Sequence, residues 1–121
     1  MPLFYTGIIR LVGGSYKNEG RVEIYHDGRW GTVCDDGWDI KDAQVACRSL
    51  GFAKATYAKS RAHFGQGSGD IWMDNVACTG MEIDLQNCSH NGGGYNDCEH
   101  DQDAGVICSG KRLVIRQSFL R

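Results

Sequence analysis

Gly28-Arg29-Trp30-Gly31-Thr32-Val33-Cys34-Asp35-Asp36-Gly37-Trp38 sets two tryptophans, a cysteine, two adjacent acids and three glycines within eleven residues. Such a run can serve as core, as disulfide anchor and as ligand site. Its first half closes a hairpin. Upstream, Arg21-Val22-Glu23-Ile24-Tyr25 alternates, with Val22 and Ile24 on one face and Arg21, Glu23 and Tyr25 on the other. Asp27-Gly28 between two alternating runs is a strong hairpin turn signal, so residues 29–33 form the return strand. Residues 8–12 read as an earlier strand, and Gly13-Gly14 with polar residues 15–20 form the loop between.

Downstream, Asp39 can cap a helix, and Asp42 favours the exposed N–H groups of its first turn. Ile40, Ala43, Ala46, Cys47 and Leu50 recur at helical spacing toward a core, and Gly51 is a suitable stop. Residues 54–63 are ambiguous, with strand as one reading. Residues 64–70 form a glycine-rich loop that lacks the Lys-Ser/Thr of a phosphate-binding loop. Residues 71–73 are a short apolar strand. Thr79-Gly80-Met81-Glu82 has the capping-box pattern and predicts a short second helix to about Cys88. Residues 90–97 read as loop and residues 104–108 as a last buried strand. In the tail, Leu113, Val114 and Ile115 could pair at a sheet edge, while Arg112, Arg116 and Arg121 equally suit a linker or a non-native remnant.

At 121 residues the chain suits one domain with a modest core. No stretch is long and apolar enough to span a membrane, and no internal repeat is visible. A net charge of −2 gives no basic signature for nucleic acid. Six cysteines, at 34, 47, 78, 88, 98 and 108, form an even set with no Cys-x-x-Cys pair. That weakens zinc-ribbon and thioredoxin-like readings and favours three disulfides in an oxidising compartment. Spacing alone leaves fifteen pairings open. No nucleophile-elbow pattern occurs, and no spacing unites the histidines and serines into a catalytic group.

Taken together, Gly20-Arg21-Val22-Glu23-Ile24-Tyr25, Trp30-Gly31-Thr32-Val33-Cys34-Asp35-Asp36-Gly37-Trp38, Cys47-Arg48-Ser49-Leu50-Gly51-Phe52, Gly67-Ser68-Gly69, Ile71-Trp72-Met73-Asp74-Asn75-Val76, Cys78-Thr79-Gly80-Met81-Glu82 and Asp103-Ala104-Gly105-Val106-Ile107-Cys108 resemble the scavenger receptor cysteine-rich domain. The resemblance runs from about Arg10 to Cys108 with its motifs in order. It implies an α+β fold: a small disulfide-stapled domain with a curved antiparallel sheet around one main helix, plus a short second helix and long loops. Residues 10–109 would form the domain, 1–9 a flank or first strand, and 110–121 a tail.

The eight-cysteine form of the family would carry its extra pair near Asn18 and Phe52, so this chain is similar to the six-cysteine form. The resemblance then implies bridges Cys34–Cys98, Cys47–Cys108 and Cys78–Cys88. In the loop-entropy model the two long bridges contribute about 4 kcal/mol each and the short one about 2.7. Reduction is expected to unfold the domain.

Asp35 and Asp36, held between Cys34 and Trp38, repel unless a cation or an arginine neutralises them. Hard oxygen donors suit Ca²⁺, with Mg²⁺ as a substitute. The resemblance implies a calcium site from this pair and a later acid, a position held here by Gln102. An amide offers a carbonyl oxygen but no charge, and Asp101 stands beside it. Asp70, Asp74, Asn75 and Asp97 form a second candidate cation group, or satisfy loop backbone. Arg10, Arg21, Arg29 and Arg61 are the candidate ligand-binding arginines, with Arg48 and Lys59 as further basic residues; Arg21 is expected to project from the sheet. Guanidinium suits sulfate, phosphate and carboxylate.

His90 and His100 each follow a cysteine by two residues, but zinc would need thiolates that disulfides remove. Asn87-Cys88-Ser89 fits a glycosylation sequon. The resemblance thus implies a non-enzymatic binding module, secreted or in a receptor ectodomain. Its ligands would be polyanionic, microbial-surface or host-protein molecules, without nucleic-acid specificity or membrane insertion. A homodimer through the tail is one further expectation. The alternative is an interaction or spacer module of a larger receptor or secreted protease, with no cation role.

Overall fold

The computed structural model describes residues 8–91 and 97–110. Its strands are β1 (Ile9–Gly13), β2 (Glu19–His26), β3 (Arg29–Val33), β4 (Lys54–Lys59), β5 (Ile71–Ala77), β6 (Ser89–Asn91) and β7 (Gly105–Ser109), with one helix, α1 (Ile40–Ser49). Short 3₁₀ turns lie at Leu85–Asn87 and His100–Gln102. The expected tail strand and its dimer contact lie outside the described residues.

The sheet runs β4-β7-β2-β3-β5-β6, with β1 also paired to β2. β1 occupies one edge of β2 along residues 20–24. The other edge is shared: residues 19–21 pair with β7 and residues 23–26 pair with β3. The sheet therefore forks at Val22, whose N–H donates to the carbonyl of Ala104 at 3.0 Å. Cys34 bridges to Asp103 at the fork, and Ala104 N–H donates to Val33 at 2.8 Å. The acidic residues that follow Cys34 are delivered to this point. One pair departs from the antiparallel expectation: β3 and β5 run parallel, through Thr32–Ile71 and Val33–Met73.

Asp39 caps α1 by accepting from the N–H groups of Lys41 and Asp42, and the Asp42 carboxylate accepts in return from Asp39 N–H. The helix buries Ala43, Val45, Ala46 and Cys47 among Val22, Ile24, Val33, Trp38, Trp72, Met73, Val76, Leu85 and Val106. Ile40, expected in the core, is instead 49% exposed at the first position of the helix. The bridges are Cys34–Cys98, Cys47–Cys108 and Cys78–Cys88, and no cysteine is free. Asn18 donates from Nδ2 to the Cys108 carbonyl at 2.7 Å and Phe52 is buried, so both positions of the missing fourth bridge are held by other contacts.

The expected helix from Thr79 does not form. Glu82 does accept from the N–H groups of Thr79 and Gly80 and from the Thr79 hydroxyl, all near 3.1 Å. Yet the Cys78–Cys88 Cα atoms lie 4.7 Å apart, whereas ten helical residues would separate them by about 15 Å. The disulfide overrides the local pattern and leaves one 3₁₀ turn at Leu85–Asn87. The first two residues of the expected loop, 90 and 91, belong instead to strand β6, which pairs with β5.

Candidate functional site

At the fork, the Asp35 N–H donates to the Gln102 carbonyl at 2.8 Å, and its carboxylate accepts from the Arg61 N–H at 2.7 Å. Asp35 is thus committed to loop backbone. Asp36 points the other way. Its Oδ1 accepts from Gln102 Nε2 at 3.3 Å, and its Oδ2 lies 3.7 Å from the Cys98 sulfur. Gln102 Oε1 meanwhile accepts from Glu99 N–H at 3.3 Å, so the amide presents its NH₂ group to Asp36 and its oxygen to the backbone.

Asp74, on β5, completes the arrangement. Its carboxylate and that of Asp36 come within 4.8 Å of each other and of the Cys34–Cys98 sulfurs. Asp74 is 3% exposed, and its Oδ1 has no hydrogen-bond partner. Burial raises its pKa above the ordinary carboxylate value, opposed by a bond from the Asn75 N–H and reinforced by Asp36, Asp97 and Asp35. Neither Asp36 nor Asp74 enters an ion pair among the described residues. The oxidised sulfurs are no thiolates, which leaves the carboxylates as the donors. A buried, unsatisfied, repelled carboxylate oxygen is a chemical fit for a hard divalent cation.

The two groups expected from sequence are therefore regrouped, one acid from each. Asp70 stands apart, paired with Arg29 at 2.8 Å. Asn75 is exposed in a left-handed conformation at φ 53°. Asp97 is exposed, its Oδ1 3.9 Å from the Cys98 sulfur, and Asp101 is exposed on the turn at His100–Gln102.

Close by, a second network went unread in the sequence. His100 Nδ1 lies 3.0 Å from the Asp103 carboxylate and Nε2 lies 2.9 Å from the Gly69 carbonyl. With acceptors at both nitrogens, only the imidazolium donates to both. Burial lowers the pKa of His100, but the Gly69 and Asp103 contacts outweigh it and the net shift is upward. Buried Asp103 also accepts from Gly67 N–H at 2.7 Å, pinning the glycine-rich loop to the fork.

The comparisons with known proteins bear on this geometry. The sequence profile of the scavenger receptor cysteine-rich domain matches residues 12–109. The chain belongs to that family. It is 54% identical over 101 residues to the macrophage scavenger receptor types I and II of Mus musculus, covering 84% of this chain and 22% of that protein. It is 55% identical over 103 residues to the galectin-3-binding protein of Rattus norvegicus, covering 85% of this chain and 18% of that one. The chain thus spans about a fifth of the length of these relatives.

Among solved structures it superposes on the third SRCR domain of murine neurotrypsin with a TM-score of 0.76 at 53% identity, over 83% of this chain and 94% of that one. The dimeric form of the SRCR domain of mouse MARCO gives 0.71 at 50% identity, over 83% and 93%. The family and these relatives make the chain a ligand-binding module rather than an enzyme.

The SRCR arginines differ in availability. Arg21 does not project: its side chain is 11% exposed, bonded to Glu23 at 2.9 Å and donating to the Gly65 carbonyl at 3.1 Å. Arg10 is 45% exposed, bonds Glu23 at 2.7 Å and lies 4.0 Å over the Trp30 ring, itself packed on Tyr25. Arg29 is 62% exposed beside Asp70, with Trp72 at 5.6 Å. Arg61 is exposed and enters no ion pair among the described residues. Arg48 is spent on the carbonyls of Gly80 and Glu82, and Lys59 lies 4.9 Å from the Tyr57 ring. Asn87 is exposed on the turn at Leu85–Asn87, next to half-cystine Cys88.

Proposed function

We propose that this SRCR domain is an extracellular binding module, secreted or in a receptor ectodomain, whose Asp36–Asp74 pocket takes Ca²⁺, with Mg²⁺ as a substitute. Polyanionic groups on microbial surfaces or host proteins would be held by the cation together with Arg61, Arg29 and Arg10. The observation that carries this reading is the unsatisfied Oδ1 of buried Asp74 beside the Asp36 carboxylate. Three disulfides among six cysteines support an oxidising, extracellular setting. No helix among the described residues is long and apolar enough to cross a membrane.

The decisive experiment is calorimetric titration of Ca²⁺ into the parent and into Asp36→Ala/Asp74→Ala. Heat in the parent that disappears in the variant is expected; equal heats would sink the cation site.

A second reading, an interaction or spacer module without a cation role, is favoured by the internal pairing of Arg10, Arg21 and Arg29 with Glu23 and Asp70. Binding to sulfated polysaccharide in calcium and in EDTA separates the two. EDTA-sensitive binding supports the first; binding that is absent or indifferent to EDTA supports the second.

A further inference from the structure

The concave side of the sheet is not filled along its whole length. Helix α1 packs mainly on β4 and β7. Toward the hairpin end this leaves a cleft of about 280 Å³, lined by Ile24, His26, Trp72, Met73, Gln86 and His90. It is distinct from the acidic pocket, since neither Asp36 nor Asp74 lines it.

Its lining divides in two. Ile24, Met73 and the Trp72 indole are buried and make an apolar floor. Trp72 is fixed there: its Nε1–H donates to the Arg29 carbonyl at 3.1 Å, and the His26 ring meets it edge-on at 4.8 Å. Above the floor stand three polar heads, His26, Gln86 and His90. His90 Nδ1 is buried without a hydrogen-bond partner, which costs stability. Each of the three heads can both donate and accept.

We infer that this cleft binds one neutral pyranose ring, either as a free sugar or as the terminal residue of a glycan. The chemistry selects that class. Among the described residues, no lysine, arginine or carboxylate lines the cleft, so neither an anion nor a hard cation finds a counter-charge in its wall. A purely apolar guest would strand the polar heads. A sugar ring sets its C–H face on an apolar and aromatic floor while its hydroxyls, each donor and acceptor, meet amide and imidazole groups. The volume lies just below the roughly 300 Å³ at which pockets for drug-sized ligands begin, which leaves room for one ring.

The test is an NMR titration of the whole chain with a panel of methyl pyranosides in EDTA, reading the imidazole C–H signals of His26 and His90. Working in EDTA separates this site from the proposed calcium pocket, because the two can then fail independently. Saturable shifts at both histidines are expected for at least one sugar, with millimolar affinity. Gln86→Leu, which keeps the size but loses the amide, should weaken binding about tenfold. His90→Phe controls for ring packing and should weaken it similarly while leaving the melting temperature unchanged or higher.

A multivalent glycan conjugate that binds far more tightly than its methyl glycoside identifies the glycan as the source; equal site-normalised affinity identifies the free sugar. No saturable shift up to about 50 mM of any panel member would overturn the inference. So would shifts unchanged in Gln86→Leu, or shifts that appear only when Zn²⁺ is added.

Discussion

The carboxylates of Asp36 and Asp74 approach within 4.8 Å beside the Cys34–Cys98 bridge, with Asp74 Oδ1 buried and unsatisfied. In the metal-free protein this arrangement works against stability. Asp74→Asn removes the buried charge and supplies an NH₂ group beside Asp36, so the variant should be more stable in EDTA by about 1 kcal/mol. Adding Ca²⁺ should raise the melting temperature of the parent and not that of the variant. Scanning calorimetry with and without EDTA checks both halves; a less stable variant in EDTA contradicts the account.

Asp42 makes the domain sensitive to pH. Its Oδ1 accepts from Cys78 N–H at 2.8 Å and its Oδ2 from Asp39 N–H at 2.8 Å, yet it is 1% exposed, and burial pushes its pKa up from 3.8 to about 6. Between those values the folded chain holds a proton that the unfolded chain releases, so stability rises as pH falls through 6 toward 4. His100 acts in the same sense: its upward shift stabilises the fold below 6.5, and that contribution is lost as pH rises through its folded value. Glu82 opposes at the acid end. Thr79 N–H foremost, with the other donors around it, lowers its pKa to about 2, so its contribution is present above 4.5 and is lost as pH falls toward 2. The melting temperature should be several degrees higher at pH 5.5 than at pH 7.5, and Asp42→Asn should flatten that rise without abolishing it.

Gly31 is required by a close approach. A Cβ there would stand 2.6 Å from the Asp70 carbonyl oxygen and 2.6 Å from Trp72 Nε1, and would also press on Trp72 Cδ1. The backbone oxygen cannot step aside cheaply, because it accepts the Thr32 N–H at 3.0 Å. Gly31→Ala should cost about 1–3 kcal/mol in urea unfolding and change the tryptophan emission, since Trp72 must leave its seat. An unchanged unfolding midpoint would refute this packing.

The three bridges should differ in weight. Cys78–Cys88 closes a separation of 10 residues, against 64 for Cys34–Cys98 and 61 for Cys47–Cys108. Replacing the short pair by alanine should cost about 2.7 kcal/mol and either long pair about 4. The short-bridge variant should also gain helix signal in far-ultraviolet circular dichroism, because the Thr79–Glu82 capping pattern is then free to propagate. No gain would show that other contacts, such as the Arg48 bonds to the Gly80 and Glu82 carbonyls, suffice to hold the loop.

Local chemistry in this chain was readable where neighbours in sequence are neighbours in space. Asp27-Gly28 turned the hairpin, Asp39 capped the helix, and the alternation at 21–25 placed Val22 and Ile24 in the core, because each depends on backbone geometry within a few residues. The disulfide pairing came with the family's motifs rather than from spacing. What the tertiary structure alone decided was partnership across the chain. Arg21 and Glu23 share a face, as the alternation says, but only the loop at 64–67 folding over them turns a projecting arginine into a half-buried one. Thr79–Glu82 has the local signature of a helix start, and a covalent bridge between Cys78 and Cys88 forbids the helix.

Asp36 and Asp74 were visible as acids in separate groups, and the fork of the sheet at Val22, with the parallel pairing of β3 and β5, brings them to one pocket while sending Asp70 to Arg29. The physical reason is common to all three. Periodicity and capping are set by short-range sterics and hydrogen bonds, which sequence records directly, whereas burial and electrostatic neighbourhood depend on long-range closure, which it does not.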